Sequence, residues 1–239
     1  MNIALIGYGK MGHAIERIAQ ERGHRIVLKI TSANRESFTA ENLRLADVAI
    51  EFTSPEAAPA NVSACLRAGV PVVCGSTGWN DKMDDVKELA RQTGTAFLHA
   101  SNFSIGVNIF FEINKRLARL MAGQPAYNAS MEEVHHLQKK DAPSGTAITL
   151  AEHILAESPS LKAWRLAEET GGSDQLPITA LREEGVPGTH KISWTSEVDT
   201  IDIIHTAHSR DGFALGAVLA AEFVPGKKGT FGMGDVLGL

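Results

Sequence analysis

Residues 134–147, VHHLQKKDAPSGTA, gather side chains able to move a proton and hold an anion within one short run. Imidazole suits proton donation near neutral pH. In a regular strand His135 and His136 would point to opposite sides, so one ring can face reacting atoms while the other hydrogen-bonds elsewhere. Lys139 adds a full positive charge a few residues on. Ala142 precedes proline and is pushed toward extended backbone. Ser144 then fits the N-cap of a helix whose apolar face is Ala147, Ile148, Leu150, Ala151, Ile154 and Leu155. Ser144, Gly145 and Thr146 therefore lie at a positive helix end, where backbone N–H groups cradle a carboxylate. The plain alternative is a histidine pair at a strand end, a solvated lysine pair and a structural turn. Acid, cation and anion cradle lying together raise a second reading, chemistry on an anionic substrate, to equal standing with it.

A second site is written at the start of the chain. Gly7, Gly9 and Gly12 form GxGxxG after the apolar run IALI and ahead of a helical pattern. The first glycine permits the tight turn, the second admits a pyrophosphate to the backbone, and the third lets helix and strand pack closely. NAD-binding sheets commonly place an acid about 20 residues on, at the end of the second strand. Here Arg25 to Arg35 contains no acid, and the expected place holds Thr31 and Ser32. The missing carboxylate favours NADPH, with Arg35 as counter-charge to a 2′-phosphate, and use of NADH stays open. CGSTGW (74–79) and HASNFSIG (99–106) follow strand ends, where small residues line the nicotinamide end of such clefts.

The elements that must position these groups can be read from periodicity. Strands are expected at 3–6, 25–30, 46–52, 70–75 and 95–100, with helices after Gly7 and around 56–68 and 81–93. Strands alternating with helices imply a parallel sheet covered on both faces. After residue 103 the rhythm changes. An amphipathic helix is expected at 108–121, then the histidine segment, the helix after Pro143, and strands within LPITALREEG and THKISWTSEVDTIDIIHTAHS. A helix follows at 213–224, and GTFGMGDVL reads as a tail. The fold class is α/β: an N-terminal Rossmann-type parallel-sheet domain plus a second α+β domain.

Composition narrows the function. With 239 residues, 44% hydrophobic and 21% charged, the chain can bury a core as one large or two modest domains. A net charge of −5 with scattered Lys and Arg offers no stripe for nucleic acid. Cys65 and Cys74 form no CxxC pair and read as buried thiols in a reducing cytosol. No apolar run approaches the ~20 residues that span a bilayer, and no basic region precedes a long apolar one, so a cytoplasmic protein without a membrane partner is expected. His190, His205 and His208 add further imidazoles, but no HxxxH spacing or neighbouring acid triad supports a metal, and none is expected.

EEVHHLQKKDAPSGTA resembles the signature of the 4-hydroxy-tetrahydrodipicolinate (dihydrodipicolinate) reductase family of the diaminopimelate route to lysine. The resemblance continues through IALIGYGKMG, AIEFTSPE, CGSTGW, ASNFSIGVN, LREEGVPGTH, HTAHSR and GTFGMGDVL. It implies a dinucleotide-binding domain over 1–106 and 212–239, and a substrate-binding and tetramerisation domain over 107–211. By the matching motif, His135 is the proton donor and Lys139 a second essential cationic group or donor. His136 binds the small cyclic dicarboxylate together with Gly145 and Thr146 beside Ser144. Around the cofactor the pattern falls on Gly7, Tyr8, Gly9, Lys10, Met11 and Gly12, on Gly75, Ser76 and Thr77, and on Ala100, Ser101, Asn102 and Phe103, with Ser32 at the second-strand position. The glycine loop carries one residue fewer between its first and last glycines than in many relatives. Two rivals stand beside this reading: another two-domain dehydrogenase, of an amino-acid aldehyde or keto acid, and a non-enzymatic NAD(P)H sensor.

Overall fold

The computed structural model describes residues 1–209 and 211–239; Arg210, which ends the HTAHSR motif, lies outside the described residues. Backbone contacts divide the chain into two units, Met1–Ile105 with Asp211–Leu239, and Gly106–Arg210. The first unit opens with β1 (Asn2–Ile6), α1 (Lys10–Glu21), β2 (Arg25–Ile30), α2 (Ala40–Leu43), β3 (Val48–Glu51), α3 (Ala58–Ala68), β4 (Val72–Cys74), α4 (Met83–Thr93) and β5 (Ala96–His99). β1, β3 and β4 are short, apolar but for Asn2 and Glu51, and fully buried after Asn2, as strands covered on both faces must be.

The second unit carries α5 (Ile105–Met121), β6 (Asn128–His135), α6 (Gly145–Glu157), β7 (Ala163–Leu166), β8 (Gln175–Arg182), β9 (Gly188–Thr195) and β10 (Thr200–Ala207). Its sheet runs β10-β9-β6-β8-β7, with β6–β8 and β7–β8 parallel and the other pairs antiparallel. One face is core: Met131, Leu176, Ile178, Ile192 and Trp194 pack with Phe110 and Met121 of α5 and Leu150 and Ile154 of α6. α5 starts three residues before the expected 108, because its buried stripe already begins at Val107. β7 was not expected from sequence.

The chain returns to the first unit with α7 (Asp211–Phe223), β11 (Gly229–Phe231) and α8 (Met233–Leu237). The expected tail is therefore a strand and a short helix: β11 pairs in parallel with β5 and extends the sheet to six strands, β11-β5-β4-β3-β1-β2. All pairings in it are parallel. α1 and α7 cover one face and α3 and α4 the other, a doubly wound, Rossmann-like layer structure. The register aligns Ile6 with Ile30 and Glu51, Glu51 with Cys74, and Cys74 with His99. Gly7, Thr31, Phe52, Gly75 and Ala100 therefore all leave the sheet at one edge. Strand order reverses between β1 and β3, the place where doubly wound sheets bind ligands.

Candidate active site

At that edge the glycines do separate jobs. Gly7 has φ +93°, and a Cβ there would sit 1.9 Å from the Phe52 carbonyl oxygen. A Cβ on Gly12 would come within 2.7 Å of the Gly7 oxygen, so α1 could not pack so closely on the loop with any other residue. Gly9, the N-cap of α1, has nothing within 4 Å of its would-be Cβ and no side-chain cap on the helix. The loop thus presents open backbone at a positive helix end with no acid in its first turn, which fits a dinucleotide pyrophosphate.

Two cavities flank Gly9. One, of about 390 Å³, is walled by Lys10, Met11, Gly12, Gly75, Ser76 and Thr77. The other, of about 450 Å³, is walled by Gly7, Tyr8, Thr31, Ser32 and Arg35 among others, and no carboxylate lines it among the described residues. Arg35 is held there by Asn61 Oδ1 at 3.1 Å. Asn61 in turn reaches the buried Glu51, which accepts from Thr53 and, at 2.9 Å, from the Cys74 thiol. Burial and the Glu51 charge push the Cys74 thiol upward, so it stays protonated as that donor. The Tyr8 hydroxyl donates to Glu16, which Lys29 also pairs at 2.6 Å.

The 100–103 segment behaves differently from its neighbours. Ala100, Ser101, Asn102 and Phe103 wall neither cavity. Phe103 is core, its ring tilted against that of Phe52 at 5.6 Å between centroids, and α7 presses on it so closely that a Cβ on Gly216 would meet its carbonyl oxygen at 1.7 Å. The Asn102 side chain accepts from Ser104 N at 2.9 Å, while Ser101 is exposed.

In the second unit the histidine segment is a strand end. β6 alternates strictly, with Ala129, Met131, Glu133 and His135 on the core face. His136, just past the strand, borders a cavity of about 500 Å³ with Leu137, Glu184 and Gly185. The neighbouring strands bring partners that the sequence does not place. Glu133 stands opposite His190 on β9, and His135 opposite Arg182 on β8. His135 Nδ1 is 2.8 Å from Glu133 Oε2, with the carboxylate off the line of the N–H bond. The other carboxylate oxygen, Oε1, accepts from Ser144 N at 3.1 Å and Arg182 Nη2 at 3.2 Å. Burial alone drives the Glu133 carboxyl up, but these bonds and the charges of His135 and Arg182 reverse it to about 2. Burial, then the charge of His135, pulls His190 down to about 4, so it is neutral at pH 7.

Ser144 caps α6 as expected, accepting from Ala147 N at 3.1 Å, but its hydroxyl also meets His190 Nε2 at 3.1 Å and the residue is 2% exposed. Its hydroxyl is committed to these two partners inside the protein. Beside it, Gly145 faces open space. Lys139 is not a lone cation, since both Asp141 oxygens hold its Nζ, at 2.8 and 2.9 Å. Arg182 pins this loop from below, donating to Lys139 O at 3.3 Å and Asp141 O at 2.6 Å.

Sequence reasoning missed Glu133, Arg182 and Gly188, and took His190 only as a stray imidazole. A signal for Glu133 was present: in MEEVHH an acid sits two residues before His135, hence on the same strand face. The absence of a metal-ligand pattern also holds in sequence only, because folding brings the ligand atoms of Glu133, His135 and His190 within 4.8 Å of one another. The Arg182 guanidinium on the same carboxylate already supplies the positive charge that a metal would bring.

Residues 1–103 match the family described as dihydrodipicolinate reductase, N-terminus, and residues 106–237 its C-terminus. A 4-hydroxy-tetrahydrodipicolinate reductase of Christiangramia forsetii is 50% identical over 237 residues, 99% of this chain and 98% of the relative. One from Anaeromyxobacter dehalogenans is 40% identical over 208 residues, 84% of this chain and 76% of the relative. The fold is that of a dipicolinate-bound dihydrodipicolinate reductase from Paenisporosarcina sp. TG-14, with TM-score 0.78 at 22% identity over 97% of each chain. With both halves matched in order and half of all positions identical to a full-length relative, the chain belongs to the dihydrodipicolinate reductase family.

Proposed function

We propose that the protein catalyses the NAD(P)H-dependent reduction of 4-hydroxy-tetrahydrodipicolinate to tetrahydrodipicolinate in the diaminopimelate route to lysine. One observation carries this: VHHLQKKDAPSGTA forms a strand end, a pinned loop and an open helix N-terminus, in a chain 50% identical to a reductase of that name. Overall a hydride and a proton enter the substrate and water leaves. Bound NAD(P)H supplies the hydride. Gly7 to Gly12 hold the pyrophosphate, Ser32 and Arg35 flank the adenosine ribose, and the 75–77 and 100–103 loops serve the nicotinamide end. The cavity without a carboxylate, with Arg35 in its wall, favours NADPH. His136, Gly145 and Thr146, with Lys139, hold the two carboxylates, and His135 donates the proton, so orientation provides much of the rate. The first unit is the cofactor domain. The second binds substrate and assembles a cytoplasmic homotetramer through its sheet, whose outer face exposes Leu181 and Ile204.

Following NADPH and then NADH absorbance, with the preceding synthase generating the substrate in place, tests the reading. Substrate-dependent oxidation, a higher kcat/KM with NADPH and competition by pyridine-2,6-dicarboxylate are expected. Oxidation driven instead by an amino-acid aldehyde or keto acid, insensitive to that dicarboxylate, would support the rival dehydrogenase. Cofactor binding without any oxidation would support the sensor.

A further inference from the structure

The charged row across β8, β6 and β9 is an unusual thing to bury. Glu133 is 0% exposed, and an ionised carboxylate at such a position is tolerated only when its lone pairs are matched by donors. The matching is asymmetric. Oε1 takes two donors that cannot be anything else, a backbone N–H and a guanidinium. Oε2 is left facing imidazoles: His135 Nδ1 at 2.8 Å, and His190 Nε2 further off at 3.9 Å. His190 does not compete for this oxygen, because its Nε2 pairs with the Ser144 hydroxyl and the ring is neutral. His135 Nδ1 is fully buried and makes no hydrogen bond of good geometry, so what bears on it is the Glu133 charge 2.8 Å away. The ring's other nitrogen lies over Gly188, where a Cβ would approach it to 3.0 Å.

The geometry points to Glu133 as the positioning residue of His135: held by Arg182 and Ser144 N, it keeps a proton on Nδ1 and so leaves Nε2 as the nitrogen that releases one. The inference rests on His135 being the acid proposed above. Its chemistry is balanced within the residue. In the imidazolium both nitrogens carry protons; Nε2 gives one up, the electron pair of the N–H bond stays on that nitrogen, and the neutral ring left behind holds its proton on Nδ1 beside the carboxylate. Gly188 leaves room for the departing proton's acceptor.

Glu133→Gln tests this sharply because the amide has only one acceptor. Ser144 N and Arg182 both demand that acceptor, so the side chain must turn its NH₂ toward His135 Nδ1, which then has to accept, moving the ring proton of the neutral form to Nε2. A wrong tautomer in an otherwise intact site is known to be costly in Ser-His-Asp enzymes. For Glu133→Gln a fall in kcat of about 10²–10⁴-fold is expected, within the range a positioned acid contributes. KM should stay within about threefold and pyridine-2,6-dicarboxylate binding should be retained, the pattern of an interaction realised in the transition state. In ¹⁵N-histidine spectra, assigned with His135→Gln, the neutral wild-type ring should be protonated on Nδ1 and that of Glu133→Gln on Nε2. A wild-type ring protonated on Nε2, or a variant kcat within threefold of wild type, overturns the proposal. So does activity removed by a chelator and restored by zinc, since Glu133 would then be a metal ligand. Should the variant not fold, the wild-type spectrum decides alone. If His135→Gln itself keeps full kcat, the acid assignment falls, an outcome separate from the tautomer.

Discussion

Neighbouring histidines with near-identical sequence surroundings end up in unlike environments, and the difference is one step of the strand. His135 faces inward onto Glu133, and His136 faces a cavity. A proton delivered in the transition state affects turnover more than substrate binding. His135→Gln should therefore lower kcat by about 10²-fold or more while KM changes little; equal kcat values in steady-state assays would remove it from the acid role. Lys139→Ala should do both, lowering kcat and raising KM for substrate. Deleting the cation also leaves Asp141, now unneutralised, beside the anion pocket, so an unchanged KM would contradict the assignment.

At the level of elements, Ser144 joins three of them. Its hydroxyl caps α6 and meets His190 of β9, and its N–H meets Glu133 of β6. Ser144→Ala removes the cap and leaves the buried His190 Nε2 without its partner, so stability should fall by about 1–3 kcal/mol in urea denaturation. A loss below about 0.5 kcal/mol would mean that the cap carries little and His190 finds another partner. The helix was legible from Pro143, Ser144 and the 3.6-residue apolar spacing. The strand was legible from alternation in NASMEEVH, although the acid in that alternation was passed over. β7 was not, because AWRL is too short and too mixed to carry a period.

For the whole molecule, the buried row makes stability depend on acid. His190 stays neutral when folded down to about 4 but protonates near 6.5 when free, so the unfolded chain binds more protons between those values. That contribution is complete above 6.5 and is lost as pH falls toward about 4. Glu133 has a folded value of about 2 against 4.5, so its contribution is present above 4.5 and lost as pH falls toward about 2. Each step is worth at most about 3 kcal/mol. Denaturant midpoints should therefore drop in two stages below neutrality, and His190→Gln should flatten the upper one; a variant with the wild-type slope between pH 6.5 and 4 would show that His190 does not set it.

Local order sufficed for most of the elements, the glycine loop and the histidine, lysine and helix-start run, because backbone propensity and capping act over a few residues and leave their period in the chain. Fold class and family followed from those patterns. What tertiary structure alone decided is which distant side chains share a dielectric. Register between strands 40 to 60 residues apart sets Arg182 and His190 around Glu133 and closes the Ser144 hydroxyl off from solvent, and pairing across more than 130 residues makes the first three residues of GTFGMGDVL a sheet edge. Burial and charge pairing depend on that register, and no spacing within a single segment encodes it.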